Sequence, residues 1–255
     1  MASSASRRKG GAGGQAYARA LEEARRELGA CRPDVVIRSA GAGFQSERDP
    51  AADRLAEVAE RAASTRPACG SFALSMLGVP LRVTYPRGGV TAEGVPSDVG
   101  VAVVVLHYLA RAAGPMDLAD PVRFGGLSGA TAFSAAFRAR VEVPLLERFG
   151  DDEPGFASAL RAAGGRSAEA RWELPFLPYL PLGVRLRPAE DLLPAECVVL
   201  FPRRAGCLFP VEDLAEAGLL LTSRLLAVAG NASAEAPWRL PEPPDGFPEV
   251  EARSS

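Results

Sequence analysis

The chain has 255 residues, of which 47% are hydrophobic, so it is long enough for one large domain or two small ones with a buried core. Its 29 basic residues are balanced by 31 acidic ones, which excludes the strong positive field that nonspecific nucleic-acid binding requires. Because no run approaches the roughly 18 apolar residues of a membrane span, we expect a soluble, cytoplasmic protein with no nucleic-acid or membrane partner.

The first predicted helix runs from Gln15 to Leu28 and ends at Gly29, because apolar residues recur on one face over that length. Residues 1–14 are charged and glycine-rich and are expected to form a disordered leader. The small residues 39–43 predict a loop, and the pattern over 50–63 predicts a second helix.

Alternating apolar residues over 72–76 and 81–85, and again from Val90, predict a short antiparallel meander with glycines at its turns. The valine-rich segment that follows favours a strand by composition and a helix by spacing. We assign it to a helix, with Ser97 as its cap and Asp98 in its first turn.

After the glycine-rich residues 124–129, a long helix is predicted with Phe133, Phe137 and Val141 facing inward. Pro144 is expected to bend or restart this helix. A shorter helix is predicted over 156–163, where Gly164 and Gly165 end it.

Between Leu174 and Leu226, prolines punctuate apolar runs that are too short for helices. Alternation predicts strands over 170–174 and 182–186, and residues 197–201 form a compact apolar strand. Pro210 is expected to start a buried last helix, in which Glu212 and Asp213 offset the helix macrodipole. The acidic, proline-rich residues 230–255 are expected to be a disordered tail.

Helices and strands follow one another without a regular strand-helix-strand alternation. The sequence therefore predicts an α+β fold, with an antiparallel or mixed sheet flanked by helices, in a single globular domain over 15–229.

The order of these motifs resembles a bacterial and archaeal family of domains of unknown function, numbered 3786. The resemblance covers roughly Tyr17 to Ala227. It rests on Leu106-His107-Tyr108-Leu109, on Gly126, Phe137, Arg140 and Pro144-Leu145, on Phe149-Gly150, and on the segment from Leu177-Pro178 to Glu212-Asp213. The chain departs from the family pattern where a tryptophan and an acidic segment are replaced by Arg187 and Glu190-Asp191-Leu192-Leu193-Pro194.

The family has no assigned activity, so the resemblance implies none for this chain. Some relatives are associated with iron-sulfur or corrinoid methyl-transfer proteins. That association implies an accessory role in anaerobic one-carbon metabolism.

His107 is the only histidine in the chain, and it lies about 130° from the centre of its helix's apolar stripe. This position predicts that the imidazole faces solvent or a cleft. There it would act as a general base if a carboxylate from a distant segment reached it, and otherwise it would be an ordinary surface histidine.

Ser128 lies in a glycine-rich turn that lacks the final glycine of a nucleophile elbow, since Ala130 stands there. It is interpreted as a helix cap or as part of a cradle for an anion. Arg140 is a candidate for binding an anionic ligand, or else it is an ordinary charged residue on the surface. Glu190 and Asp191 are candidates for acid-base or ligand-binding groups, or else for a solvated turn.

The four cysteines are too sparse for a disulfide framework, and they contain no CxxC pair. Cys197 and Cys207 are close enough in the chain that a cross-strand pair stays open. The sequence contains no complete catalytic set, no metal motif and no identifiable cofactor motif.

Our leading hypothesis is therefore a noncatalytic accessory or small-ligand-binding domain. Its candidate ligand-binding residues are His107, Ser128, Arg140, Glu190 and Asp191. The alternatives are an enzyme that uses His107 with a distant carboxylate, and a protein-protein interaction module.

Overall fold

Two antiparallel sheets and the helices that connect them form the part of the chain that the computed structural model describes, residues 12–46, 69–190 and 193–230. The predicted α+β fold is confirmed. The helix predicted over 50–63 lies outside the described residues, as do residues 1–11 of the leader predicted over 1–14 and residues 231–255 of the tail predicted over 230–255. Residues 12–14 of the predicted leader are helical, so the leader prediction was wrong there.

The first sheet contains the predicted meander. Its strands pair in chain order, each antiparallel to the next: β1 (Gly43–Ser46), β2 (Gly70–Met76), β3 (Val79–Tyr85), β4 (Val90–Ala92) and β5 (Val95–Pro96). Buried and exposed residues alternate strictly along β3, as expected for a strand with one face on the core.

The second sheet is built mainly from the proline-punctuated segment. Its strands are β6 (Pro121–Arg123), β7 (Arg166–Ala168), β8 (Arg171–Leu177), β9 (Leu180–Arg187) and β10 (Glu196–Pro202), in the spatial order β6-β10-β9-β8-β7. Strand β10 pairs with both β6 and β9, and all its residues after Glu196 are buried. The backbone N–H of Leu77 donates to the carbonyl of Phe176 across 3.1 Å, which joins the two sheets.

The helices are α1 (Ala12–Ala30), α2 (Pro33–Ala40), α3 (Val99–Arg111), α4 (Ser134–Phe137), α5 (Val143–Phe149), α6 (Glu153–Ala162), α7 (Ala205–Leu208) and α8 (Val211–Ala229). A five-residue π turn, Arg138–Glu142, separates α4 from α5, and Pro144 lies at the start of α5 as predicted. The loop predicted over 39–43 was wrong at both ends, because Ser39 and Ala40 end α2 and Gly43 begins β1.

Helix α3 lies at the centre of the helical part. Helices α1, α2 and α8 all pack on it, and every residue from Gly100 to Leu109 is buried. The predicted capping residue was wrong, because Asp98 and not Ser97 caps the helix, accepting the N–H of Gly100 across 2.9 Å. No helix in the described ranges is long and apolar enough to cross a membrane.

Candidate functional site

A strip of polar side chains runs through the interface between α1, α3 and α8, and we call it the polar seam. Each of the three helices contributes two residues, three or more positions apart. They are Tyr17 and Glu27 from α1, His107 and Arg111 from α3, and Asp213 and Glu216 from α8.

His107 and Asp213 form the centre of the seam. The Nδ1 atom of His107 lies 2.6 Å from Oδ2 of Asp213, and the two side chains are only 7% and 10% exposed. An ionised Asp213 carboxylate can only accept, so with that partner it is Nδ1 that donates; in the neutral ring the lone pair is then on Nε2. The Nε2 atom is buried and has no hydrogen-bond partner among the described residues.

The prediction that His107 faces solvent or a cleft was therefore wrong. Helices α1 and α8 cover the polar side of α3 that the helical wheel assigned to solvent. The distant carboxylate that the enzyme hypothesis required is present, but in this arrangement neither ring nitrogen is open to a substrate.

Burial raises the pKa of Asp213 above its ordinary value, while the hydrogen bond from His107 and the charge of Arg111 oppose part of that rise. Arg111 is itself held by Glu27 through two bonds of 2.6 and 2.7 Å. The hydrogen bond from Arg111 lowers the pKa of Glu27. The seam therefore ends in an ion pair at the C-terminus of α3.

At the other end of the seam, the hydroxyl of Tyr17 donates to Oε2 of Glu216 across 3.0 Å. The Oε1 atom of Glu216 is buried and has no hydrogen-bond partner among the described residues. It lies against Gly100 of α3, and a side chain at position 100 would collide with it. Burial raises the pKa of Glu216, and the hydrogen bond from Tyr17 opposes that rise.

A second polar site is a cavity of about 150 Å³ between the π turn and β10, and we call it the π-turn cavity. Its apolar wall comes from Val143, Leu146 and Ala195. Its polar lining is Arg123, Arg138, Glu142, Glu196 and Cys197. Arg138 and Glu142 are the first and last residues of the π turn, so this one irregular turn supplies both a cation and a carboxyl group.

Glu142 is held in this cavity by the backbone. The N–H of Val199 in β10 donates to its Oε1 across 3.2 Å. Burial raises the pKa of Glu142, which the Val199 bond and the charges of Arg123 and Arg138 partly offset. A partly buried carboxyl group with a raised pKa in a cleft is a typical feature of a binding or catalytic site.

The two arginines of the cavity differ in their contacts. Arg123 donates to Oε1 of Glu196 across 2.7 Å, and this bond lowers the pKa of Glu196. Arg138 is exposed and makes no hydrogen bond or ion pair within the described ranges, so its donors are open to a ligand. Burial raises the pKa of Cys197 to about 12, so its thiol stays protonated and is a poor nucleophile at neutral pH.

The structure does not bring the five predicted ligand-binding residues together. His107 belongs to the seam. Arg140 lies in the π turn close enough for its charge to act on Tyr17 and Glu216, and it borders an apolar depression of only about 10 Å³. Ser128 is exposed in the turn between the 3₁₀ turns Phe124–Gly126 and Thr131–Phe133.

Ser128 does not cap the helix that follows, because Ala130 is at the cap position, so that interpretation was wrong. Glu190 forms an isolated bridge with Leu193 ahead of β10 and is exposed, and Asp191 lies outside the described residues. Cys197 and Cys207 are both free, the first buried and the second exposed.

Sequence reasoning missed the partners that complete both sites. Asp213 was interpreted as a macrodipole charge, and Glu216 was passed over, although two acidic residues three positions apart in a largely apolar helix were a usable signal. Glu142 was missed because no sequence pattern marks a π turn. In the described ranges, no group of three or more His, Cys, Asp or Glu side chains could hold a metal ion.

No curated protein and no solved structure matches the chain. The family model described as Domain of unknown function (DUF3786) matches residues 54–224, about two thirds of the chain. His107, Asp213, Glu216 and the whole π-turn cavity lie within the matched residues, whereas α1 and α2 precede them. The order of motifs read from the sequence and this match agree, and the chain belongs to the DUF3786 family.

Proposed function

We propose that this protein is a noncatalytic domain that binds a small polar ligand in the π-turn cavity. The observation that carries the proposal is the convergence of Arg138 and Glu142 on one cavity of about 150 Å³. One water molecule needs about 10–15 Å³ on this measure, so the space suits a molecule of several heavy atoms. It is smaller than the roughly 300–1,000 Å³ of pockets for drug-sized ligands.

The lining indicates the chemistry of the ligand. The open guanidinium of Arg138 matches a carboxylate or phosphate group, which it can bind through two parallel hydrogen bonds. Glu142, anchored by Val199, is placed to accept from a hydroxyl or amino group. A small acid that also carries a hydrogen-bond donor therefore fits the cavity best.

Two further features support binding at this place. π turns are rare and are found frequently at functional sites, because they re-aim the side chains of an otherwise regular helix. The cavity's one thiol is protonated and its carboxyl group is bonded to backbone, an arrangement that suits recognition better than covalent chemistry.

The accessory role in anaerobic one-carbon metabolism is part of this proposal. It is supported by the family resemblance alone, and it assigns no particular ligand.

The test is thermal unfolding of the full chain in the presence of a panel of small hydroxy acids, amino acids and phosphate esters. A ligand at one hundred times its dissociation constant stabilises the protein by about 2.7 kcal/mol, which gives a measurable rise in Tm. We expect at least one compound to raise the Tm of the wild type and to lose its effect on Arg138→Ala and Glu142→Gln.

Arg87→Ala is the matched control, because Arg87 is an exposed arginine in the turn after β3, away from the cavity. The compound should raise the Tm of this variant as much as that of the wild type. Equal Tm shifts in Arg138→Ala and in the wild type would overturn the assignment of the site. A panel with no effect on the wild type would overturn the proposed ligand class.

A further inference from the structure

We infer that His107 and Asp213 form a second ligand site, closed by α1, which accepts a hydrogen bond from the hydroxyl or ammonium group of a small ligand. This site lies in the polar seam and not in the π-turn cavity. The inference therefore does not rest on the function proposed for that cavity.

The imidazole of His107 has one ring nitrogen bonded and one without a partner among the described residues. Where the neutral ring donates from Nδ1 to Asp213 across 2.6 Å, Nε2 is left as an acceptor with a free lone pair. His107 is more than nine-tenths buried, and Nε2 has no partner in the described part of the chain. A buried acceptor without a partner is unfavourable, so the arrangement is stabilised by any group that donates to it.

Helix α1 lies over the polar seam. Tyr17 of α1 bonds to Glu216, which lies against Gly100 near the start of α3, and Glu27 bonds to Arg111 at its end. Helix α1 therefore runs parallel to α3, and its middle lies level with His107. Ala24, which is fully buried, lies in this middle stretch of α1.

Helix α1 packs along α3 but buries few apolar side chains there for its length. Within its described side chains only Ala24 and Leu28 are buried, and Leu21 is partly so. The remaining attachment is polar: the Tyr17 hydroxyl, the Glu27 ion pair, and the side-chain Nε–H of Arg25, which donates to the carbonyl of Gly88. Elements with few buried apolar contacts are the ones that open locally without global unfolding.

The family match adds an independent observation. The matched residues include His107 and Asp213 but begin at residue 54. The pair therefore belongs to the part of the chain that matches the family, whereas α1 precedes that part.

Because His107 is the only histidine, every acylated imidazole can be assigned to this one position. Diethyl pyrocarbonate acylates an unprotonated imidazole nitrogen, and mass spectrometry of the peptide gives the rate. Tyr17→Phe and Glu27→Gln each remove one attachment of α1, and Glu22→Gln is the control, an exposed α1 residue outside the seam. We expect His107 to be acylated at least about five times as fast in the two seam variants as in Glu22→Gln. Amide exchange along α1 should also be faster in the seam variants.

Two spectroscopic measurements on the same proteins complete the test. In long-range ¹⁵N spectra the hydrogen should be on Nδ1, with Nε2 bare. Ethanolamine hydrochloride, a probe that carries a hydroxyl and an ammonium donor, should shift the Nε2 resonance of Glu27→Gln saturably, whereas sodium chloride at equal ionic strength should not.

The inference is overturned if the amides of α1 exchange faster in the seam variants while the rate of His107 acylation stays unchanged. It is also overturned if acylation occurs only under conditions of global unfolding, if Nε2 carries the hydrogen, or if ethanolamine produces no saturable shift.

Discussion

The Nδ1 atom of His107 and the Oδ2 atom of Asp213 lie 2.6 Å apart, although 106 residues separate them in the chain. The contact joins α3, which follows the first sheet, to α8, which follows the second. It is the longest-range hydrogen bond that either residue makes, and it lies where α1, α3 and α8 meet. The pair therefore fixes how the two halves of the helical part pack.

Asp213→Ala should lower the free energy of unfolding by about 1–3 kcal/mol, because it leaves the buried N–H of His107 without an acceptor. Urea denaturation measures the change. Glu212→Ala is the matched control, an exposed neighbour in the same helix turn, and it should change stability by about 0.5 kcal/mol or less. The double variant His107→Leu with Asp213→Leu should recover part of the loss, because it removes both polar groups together. Equal losses of stability in Asp213→Ala and Glu212→Ala would contradict a stabilising pair of His107 and Asp213.

Glu216→Gln should stabilise the protein at neutral pH. Burial raises the pKa of Glu216, so the folded state holds the proton more tightly than the unfolded state does. The stability from this group is complete below the ordinary glutamate pKa of about 4.3 and is lost as the pH rises through the raised pKa. Glutamine stays neutral and can still accept from Tyr17, so it avoids that loss.

The measurement for Glu216→Gln is the free energy of unfolding of variant and wild type between pH 4 and pH 7. The difference should be near zero at the acid end and should grow in favour of the variant toward neutrality. Glu212→Gln, which is exposed, should show no such trend. A variant that loses stability relative to the wild type as the pH rises would contradict the raised pKa.

Gly218→Ala should destabilise the protein, because α8 passes too close to Phe137 for a side chain at this position. A Cβ atom there would lie 2.7 Å from Cζ of Phe137 and closer still to Cε2. Phe137 has little room to move, since its ring is stacked on Phe124 with centroids 4.0 Å apart. We expect a loss of about 1–3 kcal/mol in urea denaturation.

The control for Gly218→Ala is the same substitution at Gly14 in α1, where nothing lies within 4 Å of the new atom. Because alanine favours the helix over glycine, Gly14→Ala should raise stability by about 0.5–1 kcal/mol. A gain at both positions would show that α8 and Phe137 are less closely packed than the structure has them.

The four thiols should react with iodoacetamide in an order set by exposure and thiolate content. Cys69 and Cys207 are exposed and should react first, while Cys31 is partly buried and burial raises its pKa. Cys197 should resist labelling until the protein unfolds, because it is buried and its pKa is raised to about 12. Peptide mass spectrometry after timed labelling gives the order, and early labelling of Cys197 would contradict its burial in β10.

The sequence predicted well those elements in which buried residues recur at a short interval along the chain. Alternation over residues 72–85 predicted β2 and β3, and the short apolar runs of the proline-punctuated segment predicted β8, β9 and β10, although Pro175 and Pro181 lie inside β8 and β9. Helix α2 was missed because its 8 residues give little more than two turns of pattern. His107 was singled out as the only histidine, but its environment was predicted wrongly because a helical wheel records one helix and not its neighbours.

By itself the sequence determined the α+β class, the meander, the closing strands and the buried last helix, because each follows from local periodicity and from the backbone limits of proline and glycine. Only the tertiary structure decided that Asp213 meets His107, that α1 covers the pair, and that Arg138 and Glu142 face one cavity with β10. These contacts join segments far apart in the chain. A single sequence carries no local signal for them, because they depend on how packed elements exclude water from polar groups that would otherwise be solvated.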